Sequence, residues 1–133
     1  ETIEYVAEYL NMPIIKVMEI VTFYSMYHTK PVGEHLVQVC TTTPCWLRGS
    51  DNIVNACKEI ISSEQNTVSE DGLFSWMQVE CLGACVNAPV VQINDDYYED
   101  LTYETSKNIL QSLIDKKPLE IGSQSGRQGS KAD

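Results

Sequence analysis

Apolar residues recur at Ile3, Val6, Ala7 and Leu10, the i, i+3, i+4, i+7 spacing that lines up one face of an amphipathic helix. Asn11 and Met12 interrupt that stripe. Pro13 suits the first turn of a second helix, whose apolar positions Ile14, Val17, Met18, Val21 and Tyr24 continue towards Tyr27. Such stripes are the mark of a core or docking surface, and Phe23, Tyr24 and Tyr27 are read that way rather than as cofactor contacts. After Pro31 and Gly33 the pattern changes. Leu36, Val37, Gln38 and Val39 read as a short buried strand ending at Cys40. Ser50 or Asp51 then caps a helix with the stripe Ile53, Val54, Cys57, Ile60 and Ile61, which puts Cys57 mid-face as a small core hydrophobe.

A polar stretch over 62–71 precedes a second strand over 73–79, and Cys81 follows it by two residues. Pro89 leads into a strand from Val90 to Ile93, Asp95 and Asp96 turn the chain, and Tyr97 and Tyr98 return as its hairpin partner. Thr102 caps a final helix carrying Ile109, Leu110, Leu113 and Ile114. Beyond Pro118 the Gly-, Ser- and Gln-rich sequence cannot bury enough apolar area to offset its ordering entropy, so a flexible or partner-ordered tail is predicted over 118–133. The predicted organisation is a helical segment over 1–30 and an α/β domain over 31–117, with strand and helix order β, α, β, β, β, α and a mixed sheet.

The chain's 133 residues suit one modest core. Its net charge of −10 repels phosphate backbones and anionic lipid heads, which excludes nucleic acid as an expected partner. No apolar run reaches the roughly 20 residues that span a bilayer, and the start lacks the basic and apolar regions of a secretory signal, so no direct membrane insertion is expected. The sequence opens without Met on helix-like residues, and an upstream segment is expected.

Five cysteines outside a secretory context, an odd number, argue for metal or cluster ligation over a disulfide framework. Four fall in two chelating pairs, Cys40 with Cys45 and Cys81 with Cys85, separated by 35 residues. A [2Fe–2S] rhomb takes two thiolates on each iron, and each short loop can supply one pair. Thr41, Thr42, Gly83 and Ala84 are small or permissive enough to let N–H groups approach the sulfurs, while Pro44 and Pro89 stiffen the loops. Trp46, Leu47, Leu82 and Val86 are candidates to shield the site, and Arg48 to offset its charge. Structural zinc stays open as the second reading, although zinc ribbons favour C-x2-C knuckles over the four- and three-residue gaps here. The C-x-x-C of a thioredoxin dithiol is absent. His28 and His35 both precede the ligand loops, which argues against a Rieske centre. With four thiolates and an acidic chain, the cluster's potential is expected on the order of a few hundred millivolts negative.

The segments from Val39 to Ser50 and from Val79 to Pro89, with Ile20 to Tyr24 and the hairpin from Gln92 to Leu101, resemble the thioredoxin-like [2Fe–2S] ferredoxin subunit of respiratory complex I, the 24-kilodalton subunit family of NADH:quinone oxidoreductase. The resemblance runs to about Lys117. It implies a thioredoxin-like fold with Pro89 after a cis peptide bond, and cluster ligation by Cys40, Cys45, Cys81 and Cys85. It also implies a flavoprotein partner that binds FMN and NADH, other peripheral-arm subunits, and a place on the matrix side of the mitochondrial inner membrane or the cytoplasmic side in a bacterium. Members carry further N-terminal helices. Related subunits serve NAD-linked hydrogenases and formate dehydrogenases, and similarity to the mitochondrial and alpha-proteobacterial form implies complex I. No Gly-rich dinucleotide fingerprint occurs, so NADH and FMN belong to another chain and no turnover is expected from this one alone.

Overall fold

Strand β1 (His35–Cys40) runs parallel to β2 (Phe74–Val79) on one side and antiparallel to β3 (Val91–Ile93) on the other. β3 turns through Asn94, held at φ 53°, into β4 (Asp96–Glu99), and a two-residue strand β5 (Gly122–Ser123) adds parallel to β4. The mixed sheet has the order β2-β1-β3-β4-β5. The computed structural model describes residues 1–127.

The pairing register decides what faces what. Trp76, Val37 and Ile93 form one row across three strands, and Val39, Val91 and Tyr98 form another. Because side chains alternate across a strand, these residues share one face. That face packs with Ile53, Val54 and Cys57 of α4 (Ser50–Ile60) and Ile109 and Leu110 of α5 (Tyr103–Ile114) in the larger core. Trp76 is 1% exposed, and its indole N–H donates to the Ser62 carbonyl at 2.9 Å, so the largest core residue is also polar-satisfied. Burying one residue such as Phe74 contributes about 1.5–3 kcal/mol. Thr102 caps α5 through a reciprocal pair of bonds with Thr105.

By the same alternation Cys40 lies on the opposite face. There it joins a smaller core with Cys45, Ala88 and Val90, onto which Leu82, Ala84 and Tyr97 pack.

The N-terminal unit, Glu1–Pro31, is distinct from the unit that begins at Val32. It pairs α1 (Thr2–Tyr9) with α2 (Ile14–Phe23), burying Ala7 and Val17. The second stripe was expected to run to Tyr27, but Tyr24 turns to extended backbone at ψ 116° and ends the helix. Two short helices cannot cover their own apolar side chains, and Tyr9, Ile15 and Phe23 stay exposed.

Two further elements depart from expectation. A five-residue helix α3 (Thr43–Leu47) precedes α4, and β5 lies within the segment expected to be a flexible tail. The sheet edge at β4 supplies backbone partners that composition does not reveal: Tyr98 and Glu99 pair with Gly122 and Ser123. The rest of that expected tail, from residue 128, lies outside the described residues.

Candidate metal centre

The four paired cysteines converge at one end of the sheet. Cys40 closes β1. Its N–H donates to the Val90 carbonyl at 3.2 Å, which ties the strand end to the segment after Pro89. The Ala88–Pro89 bond is cis. Cys45 sits within α3, a helix that Pro44 favours by presenting the right φ in its first turn. Both residues are 1% exposed. Cys81 and Cys85 flank a surface loop beyond β2 and are exposed, with their sulfurs in a 3.3 Å hydrogen bond and not joined by a disulfide. Cys85 opens a single 3-10 turn, Cys85–Asn87.

Backbone and side-chain donors are aimed at these sulfurs. The N–H groups of Thr42 and Leu82 both point at Cys40 Sγ, and the Thr42 hydroxyl lies 3.3 Å from it. Val90 N–H serves Cys45. Gly83 N–H reaches Cys81 Sγ at 3.4 Å, from a residue at φ 82° where a β-carbon would be strained. Tyr97, on the Cys40 face of the hairpin, donates its hydroxyl to the Leu82 carbonyl at 2.8 Å and so holds the second loop against the smaller core.

The thiols feel one another. Burial pushes Cys40 up, but the bonds from Thr42, Leu82 and Cys45 outweigh it and leave the thiol below its ordinary range. Burial first, then Cys40 and the charge of Cys85, push Cys45 up to about 12. Cys85 is raised by its hydrogen bond to Cys81, then by burial, then by the charges of Cys81 and Cys40. Four thiolates so close repel unless cations lie between them, so the donor set suits a positively charged iron centre.

A [2Fe–2S] cluster fits these residues on two grounds. The sulfurs arrive as two pairs, one from each loop, and backbone N–H groups from both loops already point at them.

The remaining expectations divide. Cys57 is 1% exposed within the larger core, and burial raises its thiol to about 12. His35 lies against Phe74, its ring tilted 40° at 5.4 Å, at the far end of β1 from Cys40, and His28 is exposed in the N-terminal unit. Leu82 packs on the smaller core as expected. Trp46, Leu47 and Val86 do not shield the site within this chain: Trp46 is 56% exposed and the other two are exposed as well. In α3 consecutive residues point about 100° apart, so turning Cys45 inward turns Trp46 and Leu47 out. Arg48 is exposed and makes no ion pair with a described residue. Three supports escaped the sequence reading: α3 itself, the Tyr97 bond, and a link from Arg127 to the second loop. Tyr97 alone had a legible signal, because its hairpin position shares parity with Cys40.

The family model for thioredoxin-like [2Fe–2S] ferredoxins matches residues 1–114. An NADH-quinone oxidoreductase subunit of Rickettsia bellii (strain RML369-C) is 59% identical over 111 residues, 84% of this chain and 66% of that protein. The mitochondrial NADH dehydrogenase [ubiquinone] flavoprotein 2 of Dictyostelium discoideum is 46% identical over 112 residues, 84% of this chain and 45% of that one. The chain thus spans slightly under two thirds of the length of the Rickettsia relative. Among solved structures, the wild-type thioredoxin-like [2Fe–2S] ferredoxin of Aquifex aeolicus aligns with a TM-score of 0.55 at 23% identity, covering 68% of this chain and 97% of that one. An NAD+-reducing [NiFe]-hydrogenase aligns at 0.75 with 13% identity, over 88% of this chain and 20% of that one, a likeness of fold alone. With the matched fold and the family model covering all four paired cysteines, the chain belongs to the thioredoxin-like [2Fe–2S] ferredoxin family.

Proposed function

We propose that the chain is the electron-transfer subunit of an NADH:quinone oxidoreductase, in which Cys40, Cys45, Cys81 and Cys85 hold the [2Fe–2S] cluster. The observation that carries this reading is the convergence of the two cysteine pairs, in a chain 59% identical to a subunit of that enzyme. Bound there, the cluster supplies one-electron chemistry, taking an electron from reduced FMN on a partner flavoprotein. The chain's own part is positional. Thr42, Leu82, Gly83 and Val90 direct N–H groups at sulfur, which favours the anionic state, and the smaller core keeps water from Cys40 and Cys45. Cys81 and Cys85 are exposed, and so are Trp46 and Leu47, which follow Cys45, and Val86, which follows Cys85. Exposed apolar residues next in sequence to the ligands suit cover by the FMN- and NADH-binding subunit, with the apolar helices of the N-terminal unit as further docking surface.

The whole assembly is then a peripheral part of a respiratory complex, on the matrix side of the mitochondrial inner membrane or the cytoplasmic side in a bacterium. Among the described residues no helix is long and apolar enough to cross a membrane. To test the reading, NADH is added anaerobically to the cluster-loaded chain with and without the FMN-bearing partner. Reduction of the cluster only with the partner present supports it. NADH oxidation by the chain alone, or no reduction with the partner, contradicts it.

A further inference from the structure

Arg127, beyond β5, reaches back to the second cysteine loop. Its Nη2 donates to the Val86 carbonyl at 2.8 Å and to Asp100 Oδ1 at 2.5 Å, and its Nε lies 3.3 Å from Asp100 Oδ2. The Asp100 side chain is only 6% exposed, and it also accepts from the hydroxyls of Ser123 at 2.6 Å and Ser125 at 3.2 Å. Burial pushes its carboxyl up, but the bonds from Arg127, Ser123 and Ser125 outweigh that and hold it below the usual aspartate range. The Asp100 N–H in turn donates to the Asn87 carbonyl at 2.7 Å. The two residues that follow Cys85 therefore have their carbonyls held, one by each member of a single ion pair.

The same turn is also held at Asn87, which is buried and whose side-chain amide donates to Glu99 Oε2 at 2.7 Å, so Arg127 acts beside that bond, at the exposed end of the turn. Cys85 and Val86 are both exposed, so apolar packing contributes little there. The forked guanidinium holds the carboxylate in a fixed geometry; the Asp100 end of the pair is shielded from salt, while the Arg127 side chain is 49% exposed. The guanidinium is bound at the carbonyl of the residue next to Cys85, with the carboxylate behind it.

We propose that Arg127 is a positioning residue for the metal centre: with Asp100 it latches the Cys85 turn and places a positive charge beside it. The inference rests on the assignment of Cys85 as a ligand. Reduction adds negative charge to the centre, so the guanidinium makes reduction easier and the carboxylate makes it harder.

The test is the midpoint potential of the cluster-loaded full chain, titrated with paramagnetic resonance as readout. Arg127→Gln removes the cation and leaves Asp100 unbalanced, so its potential moves to more negative values. Asp100→Asn keeps the guanidinium and removes the opposing charge, so its potential moves the other way, and Asn tolerates the φ of 54° at this position. Arg127→Lys keeps the charge without the fork. Its potential stays near that of the parent, while amide exchange at the Cys85 turn quickens. A merely structural contact would shift both charge variants in one direction or neither, and either result overturns the proposal. If Asp100→Asn does not fold, the contrast between Arg127→Gln and Arg127→Lys decides: equal potentials overturn it. A parent chain that loads no cluster, or a Cys85→Ser variant with an unchanged signal, refutes the ligand assignment instead.

Discussion

The Tyr97 hydroxyl donates to the Leu82 carbonyl at 2.8 Å and so joins the hairpin that borders the smaller core to the loop between Cys81 and Cys85. One bond thereby connects the two halves of the candidate centre: Leu82 also offers its N–H to Cys40. The loop is held to the sheet by hydrogen bonds more than by burial, because Cys81, Gly83 and Cys85 all face solvent.

Removing that hydroxyl should loosen the loop without disturbing the larger core. Tyr97→Phe is expected to cost about 1 kcal/mol. Denaturant unfolding measures the cost, and faster amide exchange at Gly83, with core amides unchanged, locates it.

Gly33 is a strict packing position. A β-carbon there would fall 2.3 Å from the Phe74 carbonyl carbon, and backbone cannot yield as a flexible side chain can. Its N–H also donates to Ser75 Oγ at 2.8 Å. Gly33→Ala is therefore expected to cost about 1–3 kcal/mol, seen as a lower urea midpoint at unchanged slope.

The five cysteines should separate under serine replacement. Changing Cys40, Cys45, Cys81 or Cys85 should abolish the parent-like paramagnetic signal of the reduced protein. Cys57→Ser should retain it while burying an unpartnered hydroxyl at a cost of about 1–3 kcal/mol. Loss of the cluster in Cys57→Ser would break the assignment.

Removing iron with a chelator should expose the same division to alkylation. Cys81 and Cys85 are exposed and should react first, with Cys40 and Cys45, each 1% exposed, following. Cys57 should react only on unfolding, since it lies in the larger core between the sheet and its helices, whereas Cys45 lies in the smaller core beside the exposed loop. Mass spectrometry of labelled peptides orders the five, and early labelling of Cys57 would contradict the packing described.

Much of this was legible beforehand for physical reasons that can be named. Val37 and Val39 alternate with Gln38, so β1 and the placement of Cys40 at its end follow from period-two patterning. The stripe through Ile53, Val54 and Cys57 announced α4. Helix α3 was not legible because five residues make less than two turns, too few to establish a period. Nor was the Arg127 link, since it joins positions 27 residues apart through a buried Asp100 that nothing local marks as special. The outward aspect of Trp46 was missed for a related reason: it depends on α3 turning Cys45 inward.

The most direct test is quantitative paramagnetic resonance of the purified full chain after dithionite reduction, set against its iron content. If the four cysteines hold a [2Fe–2S] cluster that takes up one electron, the signal integrates to about one unpaired spin for every two irons. A silent, colourless protein that holds zinc and no acid-labile sulfide would contradict the account.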